Sequence, residues 1–162
     1  MRWIWIDRFL EFRSREFARA VKQWSGAEDV FADHFPDFPV VPAALILEGL
    51  AQTGGILVGE ARNYQEKVVL AKIPKAEFHG EALAGQELVY EARLLDLREE
   101  GAVVAGTVIA DGFVLAEAEI FFAHLDQSRS QQMFGDRNFV FSGELKHLLA
   151  AAKGASQPPL AP

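Results

Sequence analysis

Apolar positions fall into one long run and several short ones. The run from Val40 to Gly59 is apolar almost throughout, with Glu48 and Gln52 among its few polar side chains. Its length and unbroken apolar character predict a helix that is covered on nearly every side. Proline suits the first turn of a helix, so this helix should begin at or just after Pro42 and end at about residue 61 or 62.

The short runs predict β-strands, because they have strand length and are rich in β-branched and aromatic residues. Two of them precede the long helix, separated by the turn "RSRE", and a proline-containing loop at residues 26–42 follows them. The pair Asp111-Gly112 predicts a two-residue hairpin between the last two strands. The predicted strands are residues 2–12, 17–25, 67–73, 86–97, 101–110 and 113–125.

This order of elements predicts an α+β fold in which one antiparallel sheet curls around one long central helix, since the apolar helix needs cover on all sides. We assign residues 1–124 to this domain and residues 125–162 to a C-terminal extension. Within the extension we expect a polar surface segment at residues 126–138 and a short helix over residues 143–153, capped by Ser142 and stopped by Gly154. The end, "ASQPPLAP", is expected to be disordered.

Composition and charge narrow the functional classes. The length of 162 residues suits one domain, and the net charge of −7 argues against nucleic-acid binding. Without cysteine there is no disulfide, and the four histidines lack metal-site spacing, so we expect no metal and no cofactor. Polar residues within the long apolar run favour a buried helix over a membrane span. The apolar stretch before Asp7 is too short for the core of a signal peptide. We therefore expect a cytoplasmic protein.

The candidate chemistry lies in and just before the long helix. Glu48 and Gln52 are four residues apart, so they share a helix face and are placed to hydrogen-bond. An apolar setting disfavours the ionised form of a carboxyl group, as a proton donor near neutral pH requires. His34, in the proline-rich loop, is a natural general base. Taken singly, a loop histidine is more often a surface residue and a helical glutamate more often faces solvent; the joint pattern favours catalysis.

The stretch "DHFPDFPVVPAALILEGLAQTGGIL" resembles the signature of β-hydroxyacyl-acyl-carrier-protein dehydratases of the FabZ type, G-H-F-P-G-x-P-x-x-P-G-V-L-x-x-E-A-x-A-Q. Further similarities are "IDRFLEF", "KAEFHGEALAGQEL" and "IADGFVLAEAEI", so the resemblance covers about residues 3–124. The signature positions that match without a gap are His34, Phe35, Pro36, Pro39, Pro42, Leu45, Glu48, Ala51 and Gln52.

The resemblance implies a hotdog fold and the dehydration of (3R)-hydroxyacyl thioesters on acyl carrier protein to trans-2-enoyl thioesters. It implies a homodimer, in this family often assembled further into a trimer of dimers, in which His34 of one subunit faces Glu48 of the other. It also implies that Gln52 orients Glu48 and that the Ala43 N–H binds the thioester oxygen. Three aromatic residues would line the acyl tunnel, namely Phe35, Phe38 and Phe78.

The chain departs from the signature where three family glycines are replaced by Asp33, Asp37 and Ala43. Glu77 and His79 stand where the family has basic residues, which weakens a site for an acidic carrier protein. These changes indicate a divergent member. Two alternatives to dehydration stay open at this point, a hotdog thioesterase and a non-catalytic hotdog subunit that binds an acyl carrier.

Overall fold

The computed structural model describes residues 3–126, 128, 132 and 143–155, and these contain six strands and three helices that we number in chain order. The strands are β1 (Arg8–Arg13), β2 (Phe17–Gln23), β3 (Lys67–Phe78), β4 (Glu87–Leu97), β5 (Gly101–Ala110) and β6 (Phe113–Leu125). The helices are α1 (Asp29–Asp33), α2 (Ala43–Ala61) and α3 (Gly143–Ala155).

One antiparallel sheet holds all six strands in the order β1-β2-β4-β5-β6-β3. Helix α2 packs against β2, β3, β4, β5 and β6, and every residue from Gly49 to Gly59 is buried. The predicted hotdog arrangement, a curled sheet around a central apolar helix, is confirmed. Of the helices in residues 3–126 and 143–155, none combines the length and apolar character that crossing a bilayer requires.

Two glycines let α2 approach the sheet closely. A Cβ atom on Gly49 would lie 2.6 Å from Cζ of Tyr90 on β4, and one on Gly106 of β5 would lie 2.5 Å from Cδ2 of Leu50. Both distances are shorter than side chains tolerate, so a methyl group at either position would push the helix off the sheet. The contact also places Tyr90 in the core, where burial raises the pKa of its hydroxyl.

The last hairpin follows the prediction closely. Asp111 and Gly112 have φ values of 50° and 81°, the two positive values that a tight two-residue turn needs. Along β6, Glu117 and Glu119 lie on the more exposed face, and the residues that alternate with them, Ala116, Ala118 and Ile120, are buried. Strands β5 and β6 begin and end at the predicted residues.

Three predictions about the first half and β3 need correction. The strand predicted to start at residue 2 begins only at Arg8, because the backbone of Trp3 and Trp5 binds the Gln52 side chain of α2, and the chain first bonds to β2 at Asp7, whose N–H donates to the carbonyl of Val21. The segment predicted to be loop contains α1, a single short helix before the prolines. Strand β3 extends five residues beyond the predicted end, to Phe78, because it stays paired with β6 as far as Ala116.

Helix α3 of the C-terminal extension packs against β1 and the end of α2. Leu145 and Leu149 are buried in the core, and Lys153 donates a 2.6 Å hydrogen bond to Glu60. The helix continues through Gly154 to Ala155 and does not stop at the predicted glycine, because Gly154 does not adopt the positive φ of a helix-ending glycine. The cap predicted at Ser142, the end predicted to be disordered from residue 156 onward and most of the polar segment at 126–138 lie outside the described residues.

Candidate active site

Glu48 and Gln52 form a pair on one face of α2, as their spacing predicted. Gln52 is buried with 8% of its surface exposed, and its Nε2 donates a hydrogen bond to Oε1 of the half-buried Glu48 at 3.0 Å. The carboxyl group lies at the point where α2 passes from its exposed first turn into the core. A half-buried carboxyl with a buried amide beneath it is held in one orientation while it keeps access to a ligand.

The segment before β1 holds the Gln52 amide from the other side. The N–H of Trp5 donates to Gln52 Oε1 at 2.9 Å, and Gln52 Nε2 donates to the carbonyl of Trp3 at 3.2 Å. An extended chain normally uses its N–H and C=O groups to pair with a neighbouring strand. Here the Gln52 side-chain amide accepts from one such N–H and donates to one such C=O. The amide is therefore oriented without ambiguity, because exchanging its oxygen and nitrogen would oppose like groups at both backbone contacts.

Trp3 supplies a contact to Glu48 that the sequence did not reveal. Its indole Nε1 donates to Oε1 of Glu48 at 3.2 Å, across 45 positions of the chain. Trp3 is 56% exposed in one chain, and its ring meets Trp5 edge to face at 5.5 Å. No spacing rule joins these residues, and only the N-terminal segment lying across α2 brings them together.

His34 lies at the end of α1, where its backbone is fixed and its ring is not. Its N–H donates to the carbonyl of Val30 at 2.9 Å, which makes it the C-cap of α1. The next residue, Phe35, has φ of 49°, a strained value for a bulky side chain. Nδ1 of His34 is buried and has no hydrogen-bond partner in the described residues, whereas Nε2 is not buried in this way. The ring therefore has one orphaned nitrogen and one accessible nitrogen.

Glu28 anchors the turn that leads into α1. Its carboxylate accepts hydrogen bonds from the N–H groups of Gly26 at 2.9 Å and Ser25 at 3.2 Å, and Lys22 lies 3.6 Å away. Burial acts to raise the pKa of Glu28, but the backbone hydrogen bonds together with Lys22 outweigh it and hold the pKa below its ordinary value. The charge thus stabilises the short helix that carries His34.

Ala43 is the first residue of α2 and follows Pro42, which caps the helix with φ of −57° and ψ of 133°. First-turn N–H groups have no acceptor within their own helix, and none is recorded for Ala43 among the described residues. None of Asp33, Asp37 and Ala43, which replace family glycines, has a positive φ. The lost glycines are therefore compatible with this backbone, and the N–H of Ala43 is available to a ligand oxygen.

The three predicted tunnel residues are exposed, and the structure does not gather them around one cavity. Phe35 and Phe38 lie in the proline-rich loop with exposed fractions of 63% and 52%, and they border a shallow depression with Pro36 and Asp37. Phe78 lies at the end of β3 and is 38% exposed. Exposed aromatic side chains of this size are typical of surfaces that bind a partner or a ligand.

Within the described residues of one chain, the candidate base His34 and the candidate acid Glu48 are not bonded to each other. Glu48 accepts hydrogen bonds from Trp3 and Gln52, and no hydrogen bond or ion pair links it to His34. The same residues contain no cluster of three histidine, cysteine, aspartate or glutamate side chains suited to a metal ion. A single chain thus presents a candidate acid, Glu48, that is already held in one orientation, and a separate histidine whose ring nitrogens have no hydrogen-bond partner in the described residues.

Sequence comparison places this arrangement among known proteins. The family model described as "FabA-like domain" matches residues 4–122. A protein of Campylobacter lari named "3-hydroxyacyl-[acyl-carrier-protein] dehydratase FabZ" is 35% identical over 120 residues, covering 71% of this chain and 82% of the relative. A protein of the same name from Wolinella succinogenes is 36% identical over 122 residues, covering 71% and 81%.

Structural comparison agrees on the fold. The dehydratase heterocomplex ApeI:P from Xenorhabdus doucetiae superposes with a TM-score of 0.65, covering 82% of this chain and 90% of that chain. The sequence identity is 14%, so this similarity concerns the fold alone.

Proposed function

Because this chain belongs to the FabA-like family, as a member of the FabZ type with the hotdog fold, we propose that it dehydrates (3R)-hydroxyacyl thioesters to trans-2-enoyl thioesters. The substrate acyl chain would be carried by acyl carrier protein, the carrier that the relatives' names specify. Such a reaction serves fatty-acid synthesis or a related route of acyl-chain assembly.

One observation carries the proposal, namely the carboxyl group of Glu48 held by the Gln52 amide at 3.0 Å. Elimination of water from a 3-hydroxyacyl group requires an acid beside the departing hydroxyl and a base beside the C2 proton. Glu48 is fixed in orientation by a buried amide, yet it keeps part of its surface open to a ligand. This is how a proton donor is preorganised on a rigid element.

In the proposed reaction Nε2 of His34 removes a proton from C2 while the carboxyl group of Glu48 protonates the C3 hydroxyl. The C3–O bond breaks, water leaves, and the electron pair of the C2–H bond becomes the C2=C3 double bond. Proton transfer back from the histidine to the carboxylate restores both groups, so nothing besides water is lost. The reaction is neutral in electrons and needs neither an oxidant nor a reductant.

The N–H of Ala43 is proposed to bind the thioester carbonyl oxygen. Negative charge builds on that oxygen as the C2 proton leaves, and a preorganised N–H at a helix N-terminus stabilises it. The first turn of α2 offers this donor without an internal acceptor, directly after the end of the proline-rich loop. Gln52 would act indirectly, by keeping Glu48 oriented.

The complete site is proposed to form between two copies of the chain, with His34 of one subunit facing Glu48 of the other. The aromatic side chains at positions 35, 38 and 78 are exposed in one chain. Strand β3 is 12 residues long and forms one edge of the sheet, and such long edges are usually covered in natural proteins. A homodimer would cover all of these features, and a trimer of dimers remains a prediction.

The proposal is tested by incubating the purified protein with a 3-hydroxyacyl thioester of acyl carrier protein. The enoyl product is followed by absorbance and free thiol by a thiol reagent. We expect enoyl product and no thiol release; thiol release without enoyl product would indicate a thioesterase. Glu48→Gln should lower the rate by roughly 10²–10⁴-fold, the usual contribution of a general acid.

Glu60→Gln is the matched control, because Glu60 lies at the other end of the same helix, where its carboxylate accepts hydrogen bonds from Ser14 and Lys153. This variant should keep the wild-type rate. Retention of activity by a folded Glu48→Gln protein would refute the assignment of the acid.

A further inference from the structure

We infer that Trp3 is a positioning residue for Glu48, and that its indole N–H determines which carboxyl oxygen carries the proton. The inference deepens the proposed function and rests on it, because the role of a proton donor is assumed for Glu48. Within the described residues Trp3 and Gln52 are the two side chains that hydrogen-bond to this carboxyl.

Both donors converge on the same oxygen atom. Gln52 Nε2 lies 3.0 Å from Glu48 Oε1, and Trp3 Nε1 lies 3.2 Å from that same oxygen. A carboxyl oxygen offers two in-plane lone pairs, and two N–H donors occupy both. A proton on Oε1 would face a donor hydrogen at close range, so in the acid form the proton must reside on Oε2.

This asymmetry has a consequence for proton transfer. Oε2 has no hydrogen-bond partner among the described residues, so its O–H is directed to whatever fills the site. When the proton leaves, Oε1 gains negative charge, and its two hydrogen bonds become charge-assisted and stronger. Stabilisation that grows during the transfer lowers the barrier, whereas equal stabilisation before and after would not.

The position of Trp3 is set by its surroundings, although its ring is exposed. Its carbonyl accepts from Gln52, its ring meets Trp5 edge to face at 5.5 Å, and Trp5 in turn stacks on the buried Trp24 at 5.3 Å. The backbone and the ring are therefore both fixed within one residue of the amide that orients the acid. Phenylalanine at position 3 would keep these apolar contacts and would lose only the N–H donor.

The first test is kinetic. Trp3→Phe should lower the dehydration rate about tenfold, the lower range for a hydrogen bond to a charged group. In a Glu48→Gln background the same change should cost less than twofold, because the transfer that it assists is gone. A purely structural role would lower both rates by the same factor, and that result would overturn the inference.

Ser14→Ala is the matched control, because it removes an exposed 2.7 Å hydrogen bond to Glu60, a carboxylate at the other end of α2. It should leave the dehydration rate unchanged. Should Trp3→Phe fold poorly, 3-benzothienylalanine at position 3 replaces the N–H by sulfur in a ring of the same shape, and 7-azatryptophan keeps the N–H. The sulfur analogue should reproduce the tenfold loss, and the aza analogue should restore at least half of the wild-type rate.

A second test does not depend on activity. In a ¹H–¹⁵N spectrum, the indole resonance of Trp3 should move with pH as the carboxyl of Glu48 titrates, and it should stay constant in Glu48→Gln. The Trp24 resonance is the internal reference and should not move. If the Trp3 resonance is insensitive to pH in the wild type, the inference fails even if the chain is a dehydratase. If the resonance moves but no enoyl product forms, the contact stands and the proposed function fails.

Discussion

The proposed acid and the proposed base lie in two regions that are built very differently, the middle of α2 and the proline-rich loop. Glu48 lies on a helix packed against five strands, and its oxygen is held by two hydrogen bonds. His34 lies between a five-residue helix and a strained Phe35, and one of its ring nitrogens is buried without a partner in the described residues. The proposed acid, Glu48, is held by side-chain hydrogen bonds within one chain. The proposed base, His34, is held only through its backbone hydrogen bond to Val30 within the described residues.

This difference teaches where a second copy is needed. Rigid secondary structure positions a side chain more precisely than a loop does, so a loop histidine requires outside contacts to reach the same precision. The exposed rings of Phe35 and Phe38, on either side of Pro36, indicate the surface where such contacts would form. The loop is expected to gain further contacts on assembly, and α2 is expected to remain as it is in one chain.

The largest effect should come from mixing two inactive variants. His34→Asn and Glu48→Gln proteins, each reduced by roughly 10²-fold or more, should regain about a quarter of the wild-type rate after unfolding and refolding together. In a mixed dimer one site carries both substitutions and the other carries none, and half of randomly formed dimers are mixed. The measurement is enoyl formation before and after refolding.

The control is each variant refolded alone, which should stay inactive. A mixture that remains inactive, with mixed dimers verified by mass spectrometry, would place both residues of a site in one subunit. The proposal that His34 needs a second subunit to reach Glu48 would then be wrong.

A smaller effect is expected when the support of the acid is removed by Gln52→Leu. This change leaves the buried N–H of Trp5 without an acceptor and frees Glu48, so it should lower the free energy of unfolding by about 1–3 kcal/mol. The rate should fall about tenfold as the carboxyl loses its fixed orientation. Denaturant unfolding and the dehydration assay provide the two measurements.

Thr53→Val serves as its control, since Thr53 is buried beside Gln52 and donates only to the carbonyl of Gly49 in its own helix. It should change stability by less than Gln52→Leu and leave the rate unchanged. Equal rate losses in both variants would mean that α2 packing, and no specific amide contact, sets the position of the acid.

Ala43→Gly should have a still smaller effect on the rate. Ala43 already begins α2 with negative φ and an available N–H, so glycine adds no conformation that the site needs. The turnover should change less than tenfold in the dehydration assay. A gain of a hundredfold or more would show that the alanine methyl group obstructs the oxyanion donor, whose full loss corresponds to about 3 kcal/mol.

The smallest effect concerns the turn beneath the loop. The pKa of Glu28 is held below its ordinary value of 4.5, so its charge contributes stability that is present above pH 4.5 and is lost as the pH falls through the lowered pKa. Glu28→Gln should therefore lower the free energy of unfolding by roughly 0.5–1 kcal/mol at pH 7. The difference between variant and wild type should vanish in acid, and a difference that is constant with pH would exclude the charge as its cause.

Several features follow from local patterns and were predictable. The limits of α2, β5 and β6 follow from apolar periodicity, from Pro42 and from the hairpin pair Asp111-Gly112. The Glu48–Gln52 contact follows from helical spacing alone, since residues four apart share a face. The resemblance of the motif to the FabZ type supplied the family, which the comparisons confirm.

Other features depend on contacts between distant segments, which local patterns do not encode. Residues 3–6 are aromatic and β-branched, as in a strand, yet the backbone of Trp3 and Trp5 binds Gln52 of α2, and the strand begins only at Arg8. The indole of Trp3 reaches Glu48 only because of that placement. The orphaned Nδ1 of His34 also emerges only when the chain is folded.

The sequence by itself thus determined the elements, the fold class and one half of the candidate site, because helical spacing and hydrophobic periodicity are properties of neighbouring residues. The tertiary structure decided how the acid is held, since a hydrogen bond between Trp3 and Glu48 requires the N-terminal segment to cross a helix 45 positions away. The same structure leaves the ring of His34 without a hydrogen bond to Glu48 or to any other group among the described residues of one chain.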